Sequence, residues 1–216
     1  MSETKDTTAA AARTAADIAA TMRAIIEAES CALSQIPVTD DYARAVDLIV
    51  QRVWNGHGKL VVSGMGKCGQ IAMNIATTFC STGIPAVNLH PAEAQHGDLG
   101  ILQPGDVMLL LSNSGKTREI LELVDLAHNL YAGVPVIVIT GKADSPLALM
   151  ADVTLWTGGA PEVCPLGLTP TTSTTMMTVI GDVLVVNTML ATGFTREQYA
   201  LRHHGGYLGN QARKKI

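Results

Sequence analysis

The stretch KLVVSGMGKCGQIA, residues 59–72, decides the fold, because it reads as a strand, a glycine-rich turn and a helix in immediate succession. Gly64, Gly66 and Gly69 spell G-x-G-x-x-G, the pattern of a dinucleotide-binding loop. Lys67 lies inside this pattern, where such a loop has no need of a cation. The turn is therefore expected to hold either a nucleotide or a smaller and more highly charged group.

The alternation of apolar strands with helices continues after this stretch. The predicted strands cover residues 60–63, 86–89, 106–111, 134–140 and 153–156, and the predicted helices cover residues 67–80, 118–130, 145–150, 171–191 and 195–201. Uniformly apolar strands that alternate with helices are typical of a parallel sheet covered on both faces. The sequence therefore predicts a single α/β domain, which we place at residues 57–216.

Two helices are predicted before the sheet begins. Residues 1–8 are polar and are expected to be loose. An alanine-rich helix is predicted from residue 9 to about 34, ended by Pro37, and a second helix capped by Asp40 and Asp41 runs to about Trp54. We expect residues 9–56 to serve contacts between subunits.

Composition excludes several classes of protein. The chain has 216 residues, 47% of them apolar, and a net charge of −4 with no basic block apart from residues 213–215, which argues against nucleic acid as a partner. No secretory signal is visible, and the strongest apolar run, at residues 107–111, has the length of a strand rather than of a membrane span. Cys31, Cys68, Cys80 and Cys164 form no C-x-x-C pair and predict reduced thiols in a cytoplasmic protein.

The dinucleotide interpretation of the first turn lacks its acidic partner. A carboxylate is expected at the end of the second strand, but that strand ends in Asn88-Leu89-His90, and the nearest acid is Glu93. We therefore expect no nicotinamide or flavin. Tight packing of strand against helix would by itself explain the glycines. It would not explain Lys67, because the helix dipole disfavours a cation at the start of a helix unless an anion lies beside it.

A second polar turn, S-N-S-G-K-T at residues 112–117, follows the third strand. Its backbone N–H groups, with the side chains of Ser112, Asn113, Ser114 and Thr117, form a predicted phosphate nest. A helix cap and turn would account for the same residues. Because strands one and three are candidates to flank the ligand crevice of a doubly wound sheet, we expect the two turns to converge on phosphate. The Walker spacing is absent, which argues against an NTPase.

Five motifs then resemble one family. They are G-M-G-K at 64–67, H-P-A-E-A-Q-H-G-D-L-G at 90–100, S-N-S-G at 112–115, E-V-C-P-L-G-L-T-P-T-T-S-T-T at 162–175 and H-H-G-G-Y-L-G at 203–209. Together they resemble the sugar isomerase (SIS) domain, and within it the arabinose-5-phosphate isomerases. The resemblance implies a flavodoxin-like, doubly wound sheet of five parallel strands, a homotetramer with sites where subunits meet, and interconversion of D-arabinose 5-phosphate and D-ribulose 5-phosphate.

The resemblance also implies site residues. Lys67, Glu119, Glu162 and His203 match catalytic positions of the family, and His96 matches a position that lines the site. The implied substrate-binding residues are Gly64, Gly66, Ser112, Asn113, Ser114, Thr117, Thr172 and Ser173.

The residue types fit an isomerase that works through an enediol. Glu162 lies in an apolar loop where burial is expected to raise its pKa, so we assign it the carbon-bound proton, the alternative being a solvated acid. His203 suits ring opening or proton transfer between oxygens, and Lys67 neutralises phosphate or enediolate. Glu119 moves protons or orients Lys67, and His96 is a second base or holds a loop. The histidines lack the spacing of a metal site, and the route needs no metal.

Some positions depart from the family pattern. Lys116 stands where the family usually has glutamate, His204 where it has proline, and Cys68 where it has serine. Many relatives also carry two carboxyl-terminal CBS modules, and from the sequence up to Ile216 we expect no regulation by such modules. A sensor that binds a sugar phosphate without turning it over, and an SIS isomerase or lyase with another substrate, remain as alternatives.

Overall fold

The computed structural model describes residues 13–214 of the chain. In that range the helices are α1 (Ala15–Ser34), α2 (Asp41–Ile49), α3 (Lys67–Ser81), α4 (Pro91–Ala94), α5 (Arg118–Leu130), α6 (Pro146–Met150), α7 (Thr172–Thr192), α8 (Arg196–Arg202) and α9 (Gly206–Arg213). The strands are β1 (Leu60–Gly64), β2 (Ala86–Asn88), β3 (Val107–Leu111), β4 (Val136–Thr140) and β5 (Val153–Trp156). The predicted strands are confirmed to within two residues at each end.

Within residues 13–214 the strands form one parallel sheet in the order β2-β1-β3-β4-β5. The chain leaves β1 towards β2 on one side and returns to β3 on the other side of β1. The order therefore reverses between β1 and β3, and in open α/β sheets ligands bind at the carboxyl ends of the strands at such a point. The predicted α/β fold, with a doubly wound parallel sheet, is confirmed.

The strands are buried on both faces because each face is covered by helices. On one face α2, α3 and α7 pack against alternate residues such as Val62, Leu109 and Ile139. On the other face α5 and α6 pack against the intervening residues, such as Leu110 and Val138. This double covering explains why the strands read as continuous apolar runs rather than as alternating ones.

The amino terminus corrects one prediction. Helix α1 begins at Ala15, whereas the predicted helix began at residue 9; residues 9–12 and the predicted loose segment 1–8 lie outside the described residues. Thr14 and Asp17 form a capping box, in which the Thr14 hydroxyl accepts from the Asp17 N–H at 3.1 Å and the Thr14 N–H donates to the Asp17 carboxylate at 2.9 Å. This reciprocal pair caps the start of α1.

The second helix also differs in detail from its prediction. Asp40 has helical backbone angles and makes no side-chain cap, so the predicted cap by Asp40 is wrong. The helix continues beyond Ile49 as a short π-helical turn, Val50–Asn55. Helices α4 and α9 and the 3₁₀ turn Asp98–Ile101 were not predicted, because each is too short for its apolar pattern to show.

Helix α7 is long and apolar enough, by length and composition alone, to cross a membrane, so the expectation that no segment reaches that length is corrected. Its apolar character has another explanation here. Met177, Ile180 and Leu184 are buried in the core against α3 and the sheet. Gly181 lies so close to Ile75 that a Cβ would stand 2.5 Å from the Ile75 Cγ1. Helix α7 is thus a core helix of this domain.

Candidate active site

The turns after β1 and β3 adjoin at the point where the strand order reverses. Gly64, the last residue of β1, pairs in register with Leu111, the last residue of β3. Gly64 has no room for a side chain, because a Cβ there would stand 2.7 Å from the carbonyl carbon and oxygen of Cys68. Burial raises the pKa of the Cys68 thiol, and a hydrogen bond with the backbone of Asn113 partly opposes it, so the first turn touches the second through Cys68.

Lys67 opens α3 as an exposed cation. Gly66 before it has a φ of 59°, a left-handed conformation that suits glycine. Among the described residues, no carboxylate oxygen lies within 4.0 Å of the Lys67 ammonium. An open cleft of about 520 Å³ beside it is lined by Gln70 and Asn74 of α3 and by Pro170, Thr174 and Thr175 at the start of α7. An unneutralised lysine at a helix start is a favourable place for an anion.

In the second polar turn, residues 112–117, here called the serine turn, some of the polar groups are hydrogen-bonded to other groups of the same turn. The Ser112 hydroxyl, 2% exposed as a residue, lies 2.9 Å from the Thr117 hydroxyl and accepts from the Gly115 N–H at 3.1 Å. The Ser114 hydroxyl accepts from the Lys116 N–H at 3.2 Å. The side chains of Asn113, Ser114 and Lys116 are exposed at the carboxyl edge. Contacts of this turn with phosphate stay a prediction, and the cleft beside Lys67 is lined by α3 and α7 rather than by it.

Glu162 lies at the start of α7. Its Oε2 accepts from the Thr171 N–H at 2.7 Å, from the Thr171 hydroxyl at 2.8 Å and from the Ser173 N–H at 3.3 Å. The carboxylate thus satisfies backbone donors that every helix leaves open in its first turn. Thr172 and Ser173 are buried, and the Thr172 hydroxyl accepts from the Val163 N–H at 3.2 Å, which ties the loop of Glu162 back to the helix.

The expected direction of the Glu162 pKa is wrong. Burial does raise the pKa of this carboxyl, but the hydrogen bonds from Ser173 and Thr171 together outweigh burial and lower the pKa below its usual value. Donors that bond the charged form stabilise it. Glu162 is therefore a stabilised carboxylate rather than a carboxylic acid held neutral by an apolar loop.

The same loop contains a thiol that sequence reasoning did not single out. The Thr169 hydroxyl, with backbone N–H groups from Thr169, Leu166 and Leu168, lowers the pKa of Cys164 to about 6. These donors favour the thiolate form, so the loop between Pro161 and Pro170 holds two side chains, Glu162 and Cys164, whose charged forms are stabilised by hydrogen bonds. Nothing in the spacing of the cysteines signals this, because the donors come from the local turn of the loop.

Glu119 and His96 lie on two segments that are joined at the carboxyl edge. Glu119 is half-buried in the first turn of α5, and His96 is exposed in the loop that follows β2 and α4. The Gln95 amide donates to the Glu122 carboxylate at 2.9 Å, which links the β2 loop to α5. Glu119 forms no ion pair with Lys67 within the described chain, so its suggested role in orienting that lysine has no contact to support it.

His203 lies at the opposite edge of the sheet from Lys67. It ends α8, and neighbouring Arg202 and Phe194 pack on Gly83, which follows the carboxyl end of α3. Lys67 begins that same helix, whose 15 residues span roughly 22 Å. One chain therefore places Lys67, the start of α7 and the two turns at the carboxyl edge of the sheet, and it holds His203 at the other edge.

No group of three or more histidine, cysteine, aspartate or glutamate side chains within residues 13–214 is arranged to hold a metal ion. The convergent features of the carboxyl edge are instead a lysine, a hydrogen-bonded carboxylate and the amino termini of α3, α5 and α7. Such a set is suited to a phosphorylated ligand that carries exchangeable protons.

Known proteins share this sequence and fold. The SIS domain profile matches residues 54–187. The arabinose 5-phosphate isomerase KdsD of Pseudomonas aeruginosa is 45% identical over 179 residues, which are 83% of this chain and 53% of that protein. KdsD of Escherichia coli K12 is 51% identical over 154 residues, 71% of this chain and 46% of that protein. The chain thus spans about half the length of the curated relatives it matches.

Solved structures extend the likeness over most of the chain. A Bacteroides fragilis protein assigned as a phosphosugar isomerase involved in capsule formation is 65% identical, with a TM-score of 0.87 over 88% of this chain and 99% of that chain. The structure of Escherichia coli CFT073 c3406 in complex with arabinose 5-phosphate is 32% identical, with a TM-score of 0.82 over 88% of this chain and 100% of that chain.

Proposed function

Because the chain belongs to the SIS domain family, we propose that it is a sugar-phosphate isomerase that interconverts D-ribulose 5-phosphate and D-arabinose 5-phosphate. The observation that carries the proposal is the exposed ammonium of Lys67 at the start of α3, facing the start of α7, where Glu162 lies. The curated relatives that match the chain at 45% and 51% identity are named arabinose 5-phosphate isomerases.

Lys67 and the helix starts bind the phosphate group. A phosphate monoester carries about −1.5 to −2 charges at neutral pH, which suits one ammonium and several free backbone N–H groups. The exposed side chains of Asn113 and Ser114 are further candidates, with Gly64 and Gly66 keeping the backbone close. Ser112, Thr117, Thr172 and Ser173 would then shape the turns and the α7 start, since their hydroxyls or burial already tie them to the protein.

The proposed reaction moves one carbon-bound proton and one oxygen-bound proton. Glu162 accepts the proton from C1 of the ketose, which gives an enediol, and returns it to C2 of the aldose. His203 transfers the proton between the two oxygens and assists opening of the aldose ring. Glu119 and His96 line the site beside the sugar chain. No redox cofactor and no metal ion enters this sequence of steps.

The site is proposed to form between subunits of a homotetramer. His203 and Lys67 lie at opposite edges of one chain, so His203 can serve the Lys67 site only from a second copy. Helix α1 exposes an apolar row, Ile18, Met22, Ile25 and Ile26, which favours burial by another subunit. Residues 9–56 would then serve the subunit contacts that the sequence suggested.

Subunit complementation tests this arrangement. Lys67→Ala and His203→Gln variants are each expected to be nearly inactive alone. When the two are unfolded together and refolded, mixed tetramers contain some sites with both native residues, so a measurable fraction of turnover returns. Two samples of one variant treated in the same way serve as controls. A mixture that elutes as a tetramer by gel filtration and stays inactive would contradict a shared site.

The reaction itself is tested by incubating the purified protein with D-ribulose 5-phosphate and separating the product sugars. We expect D-arabinose 5-phosphate to accumulate, and to do so equally after exhaustive treatment with a chelator. Binding of D-ribulose 5-phosphate without any product would contradict the proposed enzymatic activity and would favour a sensor of sugar phosphates. Faster turnover of a different sugar phosphate would contradict the proposed substrate. Lys116, which stands where the family usually has glutamate, would then be the first residue to test for substrate preference.

We infer a cytoplasmic location from the substrate and the thiols. A sugar phosphate is charged and is retained where it is made. All four cysteines are free, which is usual in a reducing compartment. No nucleic acid or membrane partner is proposed.

A further inference from the structure

We propose that the carboxyl-terminal helix pair α8–α9 holds His203 as one defined tautomer, with the proton on Nδ1 and a bare Nε2 directed to act as the proton acceptor. Tyr199, Gly209 and Arg213 are the positioning residues. The inference rests on the proposed function for the meaning of His203, but the tautomer itself is a property of the protein that can be measured without turnover.

The Nδ1 assignment follows from the partner of the ring. His203 Nδ1 lies 3.0 Å from the backbone carbonyl oxygen of Tyr199. A carbonyl oxygen only accepts, so Nδ1 has to carry the hydrogen of this bond. In a neutral imidazole one ring nitrogen is a donor and the other an acceptor, which leaves the lone pair on Nε2. The two residues are one helical turn apart, so the end of α8 itself supplies the acceptor.

The plane of the ring is fixed by stacking. The Tyr199 and His203 ring centroids lie 3.8 Å apart with an interplanar angle of 10°. The hydrogen bond directs one nitrogen, and the stack removes rotation of the imidazole out of that plane. Nε2 therefore points in one direction from the end of α8, as a general base requires.

Helix α9 holds the backbone of His203 from the other side. Arg213 donates to the carbonyl oxygens of His203 at 3.3 Å and of His204 at 3.1 Å. Gly209 is buried so close to this segment that a Cβ there would overlap the His203 carbonyl oxygen. Backbone does not yield as a side-chain end does, so a side chain at residue 209 has to displace His203 or the helix.

The arrangement has a chemical consequence for the oxygen-bound proton. A bare Nε2 accepts the proton from one sugar hydroxyl and returns it to the neighbouring oxygen, while Nδ1–H stays bonded to the Tyr199 carbonyl throughout. The ring is positively charged between the two transfers, and the donated Nδ1–H bond then becomes charge-assisted and stronger. The opposite tautomer would present a donor where the reaction first needs an acceptor.

Nuclear magnetic resonance of protein labelled with ¹⁵N-histidine tests the tautomer directly. The His203 signals are assigned by their loss in His203→Gln, and the spectrum is recorded at alkaline pH, where imidazoles are neutral. We expect the bare, imine-type nitrogen of His203 to be Nε2. An imine-type Nδ1, or an equal mixture of tautomers, would overturn the proposal whether or not the protein is an isomerase.

Matched variants test the positioning. Gly209→Ala is expected to lower kcat about 10- to 100-fold with little change in KM, short of the roughly 10²- to 10⁴-fold that a general acid–base supplies. Gly205→Ala is the control, because a Cβ at that nearby glycine meets open space. Tyr199→Phe keeps the stack and the carbonyl and should retain activity, whereas Tyr199→Ala keeps the carbonyl but removes the stack, so it should lower kcat because the ring plane is no longer held.

Two results separate the inference from the proposed function. A wild-type protein without isomerase activity but with a bare Nε2 at His203 removes the proposed function and leaves the tautomer in place. An active enzyme in which Gly209→Ala and Tyr199→Ala both keep the wild-type kcat would remove the positioning role. Circular dichroism and gel filtration show that the compared variants are folded and equally assembled.

Discussion

Replacing Lys67 with alanine is expected to lower kcat/KM for the sugar phosphate about 10²- to 10³-fold, the range found when a donor to a developing anion is removed. The ammonium is the cation that lines the α3–α7 cleft, and no carboxylate of the described chain within 4.0 Å neutralises it. If it binds phosphate alone, the loss falls mainly on KM, whereas contact with the enediolate lowers kcat as well.

The same change should leave the fold at least as stable. Lys67 stands in the first turn of α3, where the helix dipole opposes a cation by about 0.3–1 kcal/mol. If Lys67 only stabilised the fold, its replacement would lower Tm, and activity would fall because the protein unfolds. Thermal unfolding of the variant beside the wild type, with kinetics on the same samples, separates the two cases.

Lys142→Ala supplies the control for charge. Lys142 is an exposed lysine in the loop after β4, at the same edge of the sheet. Lys142→Ala removes one positive charge from that edge, as Lys67→Ala does, but leaves the charge at the cleft unchanged. Equal losses in the two variants would mean that Lys67 acts only through the general field of the edge, and unchanged kinetics of Lys67→Ala would remove it from the site.

The architecture was predictable because its signals are local. Each strand is a short run of apolar residues that needs cover on both faces, and each turn after a strand opens a helix, so a parallel sheet is the consistent arrangement. The glycine turn at Gly64 is specified in the same way, since its close approach to Cys68 requires the missing side chain. By contrast, the start of α1 depends on one reciprocal pair, Thr14 with Asp17, which a long alanine pattern hides.

The electrostatics of the site were less predictable because they depend on contacts across the chain. An apolar loop around Glu162 suggests burial, but the three donors to its carboxylate come from residues nine to eleven positions later. The place of His203 depends on the direction of α7, which carries the chain across the domain to the other edge. The family resemblance places Glu162 and His203 in the same site, but the fold puts them at opposite edges of one chain.

Glu162→Gln is expected to lower kcat about 10²- to 10⁴-fold, as for removal of a general base, while sugar phosphate still binds. Glutamine keeps an oxygen that accepts from Thr171 and Ser173 but cannot take up the carbon-bound proton. Glu162→Ala removes the acceptor too, so it should also destabilise the domain by about 0.5–2 kcal/mol, the usual cost of a lost helix cap. Wild-type turnover of Glu162→Gln would leave Glu162 as a cap only.

The pH dependence of stability tests the cap apart from catalysis. The pKa of Glu162 is lowered in the folded state, so its contribution is complete above the unfolded value, about 4.3, and is lost as pH falls through the folded value. The difference in Tm between the wild type and Glu162→Gln should therefore be larger at pH 7 than at pH 3. Asp17→Asn, which removes the capping carboxylate of α1, should show the same dependence of the Tm difference on pH. A Tm difference independent of pH would mean that the Glu162 charge does not stabilise α7.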